Sequence, residues 1–285
     1  MSEIILENLS YYHGKDTPYQ IKALDNINVT FPHGMITGLI GHTGSGKSTL
    51  VQMFNGLLKP DEGRVLINGN DIWKKPKDIR NVRFNVGLVM QYPEYQLFEE
   101  TVYKDIAFGP KNCGVDDNEI NDRVLEAADF AGLDRELLNR SPFDLSGGQK
   151  RRAAIAGIIA MRPDVLVLDE PAAGLDPRGR DSIFDNIREY QRKSQNTVII
   201  VSHSMEDMAR LCDNLVVMAG GKILMSGNCD TVFEQAKQLI SVGLDVPQIT
   251  QLMNLLRDKG IKVDNGIYTV DQAFEFITNY KNKTR

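Results

Sequence analysis

The segment GHTGSGKS at residues 41–48 has the residue types and spacing of a phosphate-binding loop. It matches the pattern G-x-x-x-x-G-K-[ST] and lies between the apolar run ITGLI (36–40) and the helical pattern STLVQMFNGLL. Glycines allow backbone N–H groups to close around phosphates, Lys47 brings a positive charge to the β and γ groups, and the Ser48 hydroxyl can ligand Mg²⁺. Because the required strand and helix flank the motif, the segment predicts a nucleoside triphosphate site rather than a plain glycine turn.

Further polar groups follow three other apolar runs. VLVLDE (165–170) ends in Asp169 and Glu170, VGLVM (86–90) is followed by Gln91, and TVIIV (197–201) is followed by Ser202 and His203. Adjacent residues of a strand point in opposite directions, so we assign Asp169 to the Mg²⁺ ligands and Glu170 to polarising an attacking water. Gln91 can reach the metal or the water, or respond to a partner. A lone glutamine or histidine is often structural, so only the position at the end of a predicted strand makes Gln91 and His203 candidate site residues.

These four runs are short and continuously apolar, as in strands that are buried on both faces of a parallel sheet. In such α/β sheets, ligands bind at the carboxyl ends of the strands. We therefore expect the phosphate loop, Gln91, the acid pair and His203 to meet at one edge of the sheet.

A second anion-binding feature lies far from the phosphate loop, in SPFDLSGGQKRRAAIAG (141–157). Ser146 and Gln149 have the S-x-x-Q spacing of a capping box, which predicts a helix beginning at Gly147. The exposed N–H groups and positive dipole of such a helix end attract an anion. This chain's own phosphate loop is about a hundred residues away, which leaves the origin of the anion open at this point.

Composition narrows the possible classes of protein. The chain has 285 residues, of which 42% are hydrophobic and 25% charged, which suits one large globular domain with an appendage. The net charge of −5 gives no support to a nucleic-acid partner. Three scattered cysteines favour a reducing cytosol, and we expect neither a signal peptide nor a run of the roughly 18 to 20 apolar residues that a membrane span needs.

The order of phosphate loop, strand-end glutamine, LSGGQ, DE, PAAGLD and strand-end histidine resembles the ATP-binding cassette (ABC) ATPases over about residues 4–230. The segment VMQYPEYQLFEETVYKDIAFGP (89–110) is similar to the ATPase subunits of energy-coupling factor (ECF) transporters, which take up vitamins and some metal ions. The resemblance implies an α/β fold: a P-loop NTPase (RecA-like) core with a parallel sheet, a flanking antiparallel β subdomain, a helical subdomain and a mostly helical C-terminal extension.

The resemblance also assigns residues. It implies that Ser146, Gly147, Gly148 and Gln149 bind the γ-phosphate of ATP held by a second chain, and that the loop of Asp176 crosses the dimer seam. Glu170 and His203 would be catalytic, and Ser48, Gln91 and Asp169 would hold Mg²⁺. Either Tyr12 or His13 would stack on adenine. The remaining ATP contacts would come from Gly41, His42, Thr43, Gly44, Ser45, Gly46, Lys47, Ser48, Thr49 and Gln91.

Two domains are expected. Residues 1–230 would form the ATPase domain, with antiparallel strands in 1–35 and 64–85 and a helical subdomain at about 92–160. Residues 231–285 would form an extension that either supports dimerisation or packs on its own core. In the extension, Ile249, Leu252, Met253 and Leu256 have helical spacing, and DQAFEFITNY predicts a second helix after the turn DKGIKVDNG.

The partners implied by the resemblance are a second, related ATPase chain, a transmembrane coupling subunit and a substrate-binding membrane subunit, with no nucleic acid. The protein would lie peripherally on the cytoplasmic face of the membrane. Glu94, Glu99 or Glu100 would meet basic groups of the membrane partner, or simply form a solvated face. Alternatives are an ATPase of another ABC transporter, for example for cobalt or nickel, a soluble ABC ATPase, and a regulatory partner without catalysis.

Overall fold

A computed structural model describes residues 3–264 and 266–283 of the chain. Its central feature is a six-stranded sheet with the strand order β10-β9-β3-β8-β7-β6. All neighbouring strands are parallel except the hairpin of β9 and β10. The strands are β3 (Ile36–Gly41), β6 (Val86–Val89), β7 (Val165–Asp169), β8 (Thr197–Val201), β9 (Asn214–Ala219) and β10 (Lys222–Asn228). The four apolar runs of the sequence are therefore neighbours in one parallel sheet, which confirms the predicted fold class.

Side chains of this sheet are buried on both faces. Leu39, Val167 and Ile199 pack into a core shared with helix α1 (Lys47–Phe54). The alternating residues Ile40 and Leu168 face the other core, which includes α6 (Pro177–Ser194) and α7 (Met205–Leu211). Burial on both faces explains why these strands read as continuous apolar runs.

A four-stranded antiparallel sheet, ordered β2-β1-β4-β5, flanks the core. It comprises β1 (Ile4–His13), β2 (Ile21–Phe31), β4 (Glu62–Ile67) and β5 (Asn70–Asp71). The expectation of sheet structure through residue 85 was wrong, because Ile79–Asn85 forms helix α2. Ile79 and Val82 have helical spacing and together pack on the same core as α1.

Helices follow between β6 and β7. They are α3 (Val102–Asn112), α4 (Asp117–Phe130) and α5 (Gly147–Ile159). Thr101 caps α3 by accepting a hydrogen bond from the Lys104 N–H, and Asp116 caps α4 in the same manner through the Asn118 N–H. Ile106 of α3, Val124 of α4 and Ile155 of α5 meet in the main core, so this helical layer is packed onto the sheet rather than separate from it.

The C-terminal part contains α8 (Cys229–Phe233), α9 (Ala236–Ser241), α10 (Gln248–Asp258) and α11 (Val270–Lys283). The predicted apolar face of α10 was partly wrong: Met253 is buried, but Leu252 is 41% exposed, and the buried neighbour of Met253 is Thr250. Leu239 and Val246 belong to the main core, so the first part of the extension packs on the ATPase domain. The division at residue 230 remains a prediction.

Residues 1, 2, 265, 284 and 285, which fall within the predicted domain ranges or the predicted turn DKGIKVDNG, lie outside the described residues. Within the described ranges, no helix combines the length and apolar character needed to cross a bilayer.

Candidate nucleotide site at the carboxyl edge of the sheet

An open cavity of about 1010 Å³ lies at the carboxyl ends of the parallel strands. Strand register brings the ends together, because Asp169 of β7 pairs with Val201 of β8, and Leu39 of β3 pairs with Val201 from the other side. The predicted residues that line the cavity are His13, Gly41, His42, Thr43, Gly44, Gly46, Lys47, Ser48, Thr49, Gln91, Asp169, Glu170 and His203. The parallel arrangement therefore gathers groups that are up to 190 residues apart in sequence.

The loop after β3 has the backbone of a phosphate cradle. Gly44 and Gly46 have φ values of 79° and 102°, a region that side chains other than glycine rarely adopt. A Cβ on Gly46 would lie 2.8 Å from the Ala23 carbonyl oxygen, and one on Gly41 would lie 2.4 Å from Ser45 Oγ. Gly46 is thus required by both conformation and space, Gly44 by conformation and Gly41 by space. Ser45 differs from the other loop residues, because its side chain is fully buried under the loop and does not line the cavity.

Lys47 is the first residue of α1, and its side chain reaches back to the start of the loop. Its ammonium donates hydrogen bonds to the carbonyl oxygens of Gly41 at 2.7 Å and His42 at 3.0 Å. Burial lowers the pKa of Lys47, and the charges of Asp169 and Glu170 oppose that shift. A partly buried cation held by neutral carbonyls would gain a stronger, charge-assisted bond from a phosphate oxygen. The residues of the loop therefore fit a nucleoside triphosphate.

Asp169 and Glu170 differ in environment although they are adjacent. Asp169 ends β7, and burial together with the Glu170 charge raises its pKa to about 6 despite the opposing charge of Lys47. Glu170 lies beyond the strand with a φ of 52°, and its N–H donates to the Val201 carbonyl oxygen at 2.9 Å. A left-handed non-glycine residue costs free energy and is held by its surroundings. Here the turn directs the Glu170 side chain toward the end of β8.

The Glu170 carboxylate is held by the segment that follows β8. His203 Nδ1 lies 2.7 Å from Glu170 Oε1, and the His203 N–H donates to the same oxygen at 3.1 Å. The Ser202 hydroxyl lies 3.5 Å from Oε2. The His203 side chain is 81% exposed whereas that of Glu170 is 14% exposed, so the imidazole faces the opening of the cavity. The pair can therefore orient a water or a phosphate oxygen that enters the cavity.

The same cavity offers oxygen ligands for a hard cation. Ser48, Gln91 and Asp169 line it, and their side chains carry a hydroxyl, an amide oxygen and a carboxylate. In the described ranges no group of three or more His, Cys, Asp or Glu side chains is arranged to hold a metal ion. Mg²⁺ commonly uses one or two carboxylates together with substrate phosphates, and it prefers oxygen ligands. The donor set therefore fits Mg²⁺ bound together with a triphosphate.

The capping box predicted for LSGGQ is present at the start of α5. Gln149 Oε1 accepts from the Ser146 N–H at 2.9 Å, and Ser146 Oγ accepts from the Gln149 N–H at 3.4 Å. A Cβ on Gly147 would meet no described atom within 4 Å, and one on Gly148 would meet only Leu175 Cδ2 at 3.8 Å. None of Ser146, Gly147, Gly148 and Gln149 is among the residues lining the cavity. The open helix end is thus available to an anion from outside this chain's own site.

Asp176 caps the helix that follows the acid pair. Its side chain accepts a hydrogen bond from the Gly179 N–H at 2.6 Å at the beginning of α6. Asp176 is also outside the residues that line the cavity. Its observed contact is therefore structural, and its role at a dimer seam remains a prediction.

Tyr12 and His13 have different surroundings. His13 lines the cavity, and its Nε2 lies 3.2 Å from Thr49 Oγ1. Tyr12 is not among the lining residues; its N–H donates to Asp61, and the Lys22 ammonium lies 5.5 Å from its ring centroid. The geometry therefore favours His13 over Tyr12 as the ring nearer the nucleotide.

Sequence reasoning missed several residues of the cavity wall. Ile21, Lys22 and Ala23 at the start of β2 line the cavity near His13, and Gly243, Leu244 and Asp245 line it from the C-terminal part. No local motif marks either segment, because each reaches the cavity only through the packing of distant elements.

Arg151 of α5 was also missed. Its side chain is 5% exposed, and its guanidinium donates to the Gln91 carbonyl oxygen at 2.8 Å and to the Ala173 carbonyl oxygen. Arg151 Nε lies 3.4 Å from Glu94 Oε2. Glu94, expected to meet a partner, is thus engaged within the chain, and Glu100 pairs with Lys104 at 2.5 Å. Arg151 ties the capped helix to the segments after β6 and β7.

Comparisons with known proteins show the family of the chain. The ABC transporter family model matches residues 24–173. The chain is 51% identical over 282 residues to the energy-coupling factor transporter ATP-binding protein EcfA2 of Caldanaerobacter subterraneus subsp. tengcongensis, with 99% of each chain covered. The chain belongs to the ABC transporter ATPases. It is an ATP-binding, ATP-hydrolysing protein of the energy-coupling factor group.

Two solved structures are also similar. One is cbiO1 from Clostridium perfringens, described as part of the ABC transporter complex cbiONQ, with a TM-score of 0.74, 39% identity, and coverage of 88% of this chain and 98% of that one. The other is the ATP-binding cassette MJ0796, described as dimeric and bound to ADP and Pi, with a TM-score of 0.72, 26% identity, and coverage of 79% and 98%.

Proposed function

We propose that the chain hydrolyses MgATP at a site shared between two ATPase subunits and thereby drives uptake of vitamins or other micronutrients through membrane partner subunits. The observation that carries this proposal is the separation of two anion-binding features. The phosphate loop and the Glu170–His203 pair share one cavity, whereas the open N-terminus of α5 lies outside it. A complete site then requires the α5 end of another subunit.

Each residue of the cavity has a role that follows from its position. Loop N–H groups and Lys47 bind the phosphates, and His13 stacks near the adenine. Ser48, Gln91 and Asp169 would hold Mg²⁺, and this ion would supply positive charge beside the phosphates. Glu170 accepts a hydrogen bond from the attacking water and orients it toward the terminal phosphorus.

His203 is the other member of the pair with Glu170. With Nδ1 directed to Glu170, its remaining ring nitrogen is free to point into the cavity from an exposed position. Because Nδ1 donates to the Glu170 carboxylate, Nε2 can donate to a phosphoryl oxygen only in the imidazolium form, in which both ring nitrogens carry a proton; that donor would stabilise charge on the transferred phosphoryl group. The pair thus combines orientation of the water with charge stabilisation.

The second subunit supplies Ser146, Gly147, Gly148 and Gln149 to the γ-phosphate, and Asp176 lies at the seam. The helix dipole and open N–H groups of α5 suit this ligand. Closure of the two halves excludes water, and loss of the γ-phosphate removes the ligand that bridges them. We propose a related chain as the second subunit, and the exposed side chains of α10 and α11 as a further contact between the subunits.

A membrane partner fits the surface between β6 and α3. Tyr92, Tyr95 and Phe98 are between 55% and 84% exposed, and Phe108 packs edge-on against Phe98. Aromatic side chains are enriched at protein interfaces, and Glu99 and the 81% exposed Glu100, which also pairs with Lys104, suit a basic partner. We propose that a transmembrane coupling subunit docks here, with a substrate-binding membrane subunit beside it, so that the ATPase lies on the cytoplasmic face of the membrane.

The test of catalysis is Glu170→Gln in the complex purified from membranes. We expect the steady-state ATPase rate to fall at least ~100-fold, because the neutral amide is a weaker acceptor than the carboxylate and cannot take up a proton from the attacking water, while ATP binding persists and holds the dimer closed. Glu189→Gln, on the exposed side of α6, is the matched control and should leave the rate unchanged. Near-normal turnover of the Glu170 variant would reject its role.

A further inference from the structure

Arg180, on the helix that follows Asp169 and Glu170, is connected to Glu170 by a chain of contacts through the segment that contains His203. Arg180 of α6 donates through Nε to Asp207 Oδ1 at 2.9 Å and Oδ2 at 3.1 Å, and through Nη2 to Ser204 Oγ at 2.7 Å. Asp207 is 8% exposed. The fork of one guanidinium therefore holds two side chains of the first turn of α7 together.

The contacts continue from Ser204 to the catalytic acid. The Ser204 N–H donates to Ser202 Oγ at 3.1 Å, and that hydroxyl in turn lies 3.5 Å from Glu170 Oε2. Between these two serines, the His203 N–H donates to Glu170 Oε1. The backbone that presents His203 is thus fixed at one side by Glu170 and at the other by Arg180.

Arg180 is also joined to the predicted seam. It lies one turn after Asp176, whose carbonyl oxygen accepts the Arg180 N–H at 2.9 Å. A shift of the first turn of α6 would therefore move the guanidinium, and with it Ser204 and the His203 backbone. This path consists of direct hydrogen bonds between neighbouring groups.

We propose that Arg180 is a positioning residue that places Glu170 and His203 according to the position of the N-terminus of α6. The inference rests on the proposed function of the Glu170–His203 pair. Arg180 holds the water-orienting pair in the alignment described above. Contact of a second subunit with the Asp176 loop would keep the first turn of α6 in place, and a displacement of that turn would misalign the pair and slow hydrolysis. A displacement of about 1 Å in a catalytic group can cost ~100-fold in rate.

The test uses Arg180→Lys in the purified complex. Lysine keeps the charge but is a single point donor, so it cannot hold Asp207 and Ser204 in the same fork geometry. We expect kcat for ATP hydrolysis to fall about 10-fold or more with KM for ATP within about 2-fold, because the phosphate loop is untouched.

Arg188→Lys is the matched control. Arg188 is also on α6 and binds the other end of α7, through the carbonyl oxygens of Arg210 at 2.8 Å and Leu211 at 3.2 Å. It has the same type of helix-to-helix contact without any link to Ser204. We expect its kcat to stay within about 2-fold of the unsubstituted protein. An equal loss of kcat in Arg180→Lys and Arg188→Lys would overturn the proposal.

A second comparison separates positioning from folding. The double variant Arg180→Met, Asp207→Leu removes both members of this half-buried charge pair and should fold, because it leaves no buried carboxylate without its partner. Its kcat should stay low while its thermal midpoint recovers relative to Arg180→Met alone. If kcat recovers together with the thermal midpoint, the arginine only supports the fold and the inference is refuted. If Glu170→Gln itself retained turnover, the proposed function would fail instead.

Discussion

Asp169→Asn should stabilise the protein when neither nucleotide nor metal is present. The fold holds the Asp169 carboxylate beside Glu170 in a partly buried position, which raises its pKa from 3.8 to about 6 although Lys47 opposes the shift. A raised carboxyl pKa means that the folded protein disfavours the charged form relative to the unfolded chain. An asparagine has a similar shape and no charge, so the folded variant does not bear the free energy of holding a charged carboxylate at this position.

The magnitude follows from the pKa. A pKa difference of about two between the folded and unfolded states corresponds to roughly 3 kcal/mol in the free energy of unfolding, at 1.36 kcal/mol per pKa unit. Solvent screening of the partly exposed carboxylate reduces this to about 1–2 kcal/mol. Between about pH 4 and pH 6 the folded protein binds the proton more tightly, so the stability contributed by protonated Asp169 is lost as the pH rises through this window. The benefit of asparagine should therefore be small near pH 4 and complete above about pH 6.

The assay is urea unfolding, followed by circular dichroism, with a chelator and without nucleotide. Asp169→Asn and the unsubstituted protein are compared at about pH 4.5 and pH 8, with the exposed Asp122→Asn of α4 as the matched control. We expect a gain in the free energy of unfolding at the higher pH that shrinks at the lower pH. A variant that is less stable at pH 8, or a difference that is independent of pH, would refute this account of the Asp169 environment.

Three further predictions concern nucleotide binding and the subunit seam. Lys47→Ala should weaken ATP binding about 10-fold or more by calorimetry, since a charge-assisted bond is lost; unchanged affinity would count against the phosphate loop. Gly147→Asp should leave folding intact, because space is open at Gly147 and an acid suits a helix N-terminus, yet it should reduce hydrolysis by the complex at least ~100-fold by occupying and repelling the phosphate position. Full hydrolysis by that variant would contradict the shared site. The isolated subunit should be a poor ATPase that gains activity with its partners, and full activity of a dilute monomer would disprove the need for a second chain.

At the nucleotide site, the features that depend on neighbouring residues could be predicted from the sequence. The phosphate loop, the buried strands and the Ser146–Gln149 capping box were readable because each depends on residues within about one turn or one strand of each other. Glycine torsions, strand burial and helix capping are local properties. Residue types at fixed short spacing are therefore sufficient to predict them.

The tertiary structure determined the contacts between segments that are distant in the sequence. The contacts of Arg151 and Arg180 and the position of Asp245 on the cavity wall join residues that share no local pattern. The buried face of α10 was also misjudged, because helical spacing defines an apolar stripe but not the surface against which the helix turns. Packing against distant elements sets these positions, since the free energy of burial depends on which surfaces meet rather than on the order of residues along one helix.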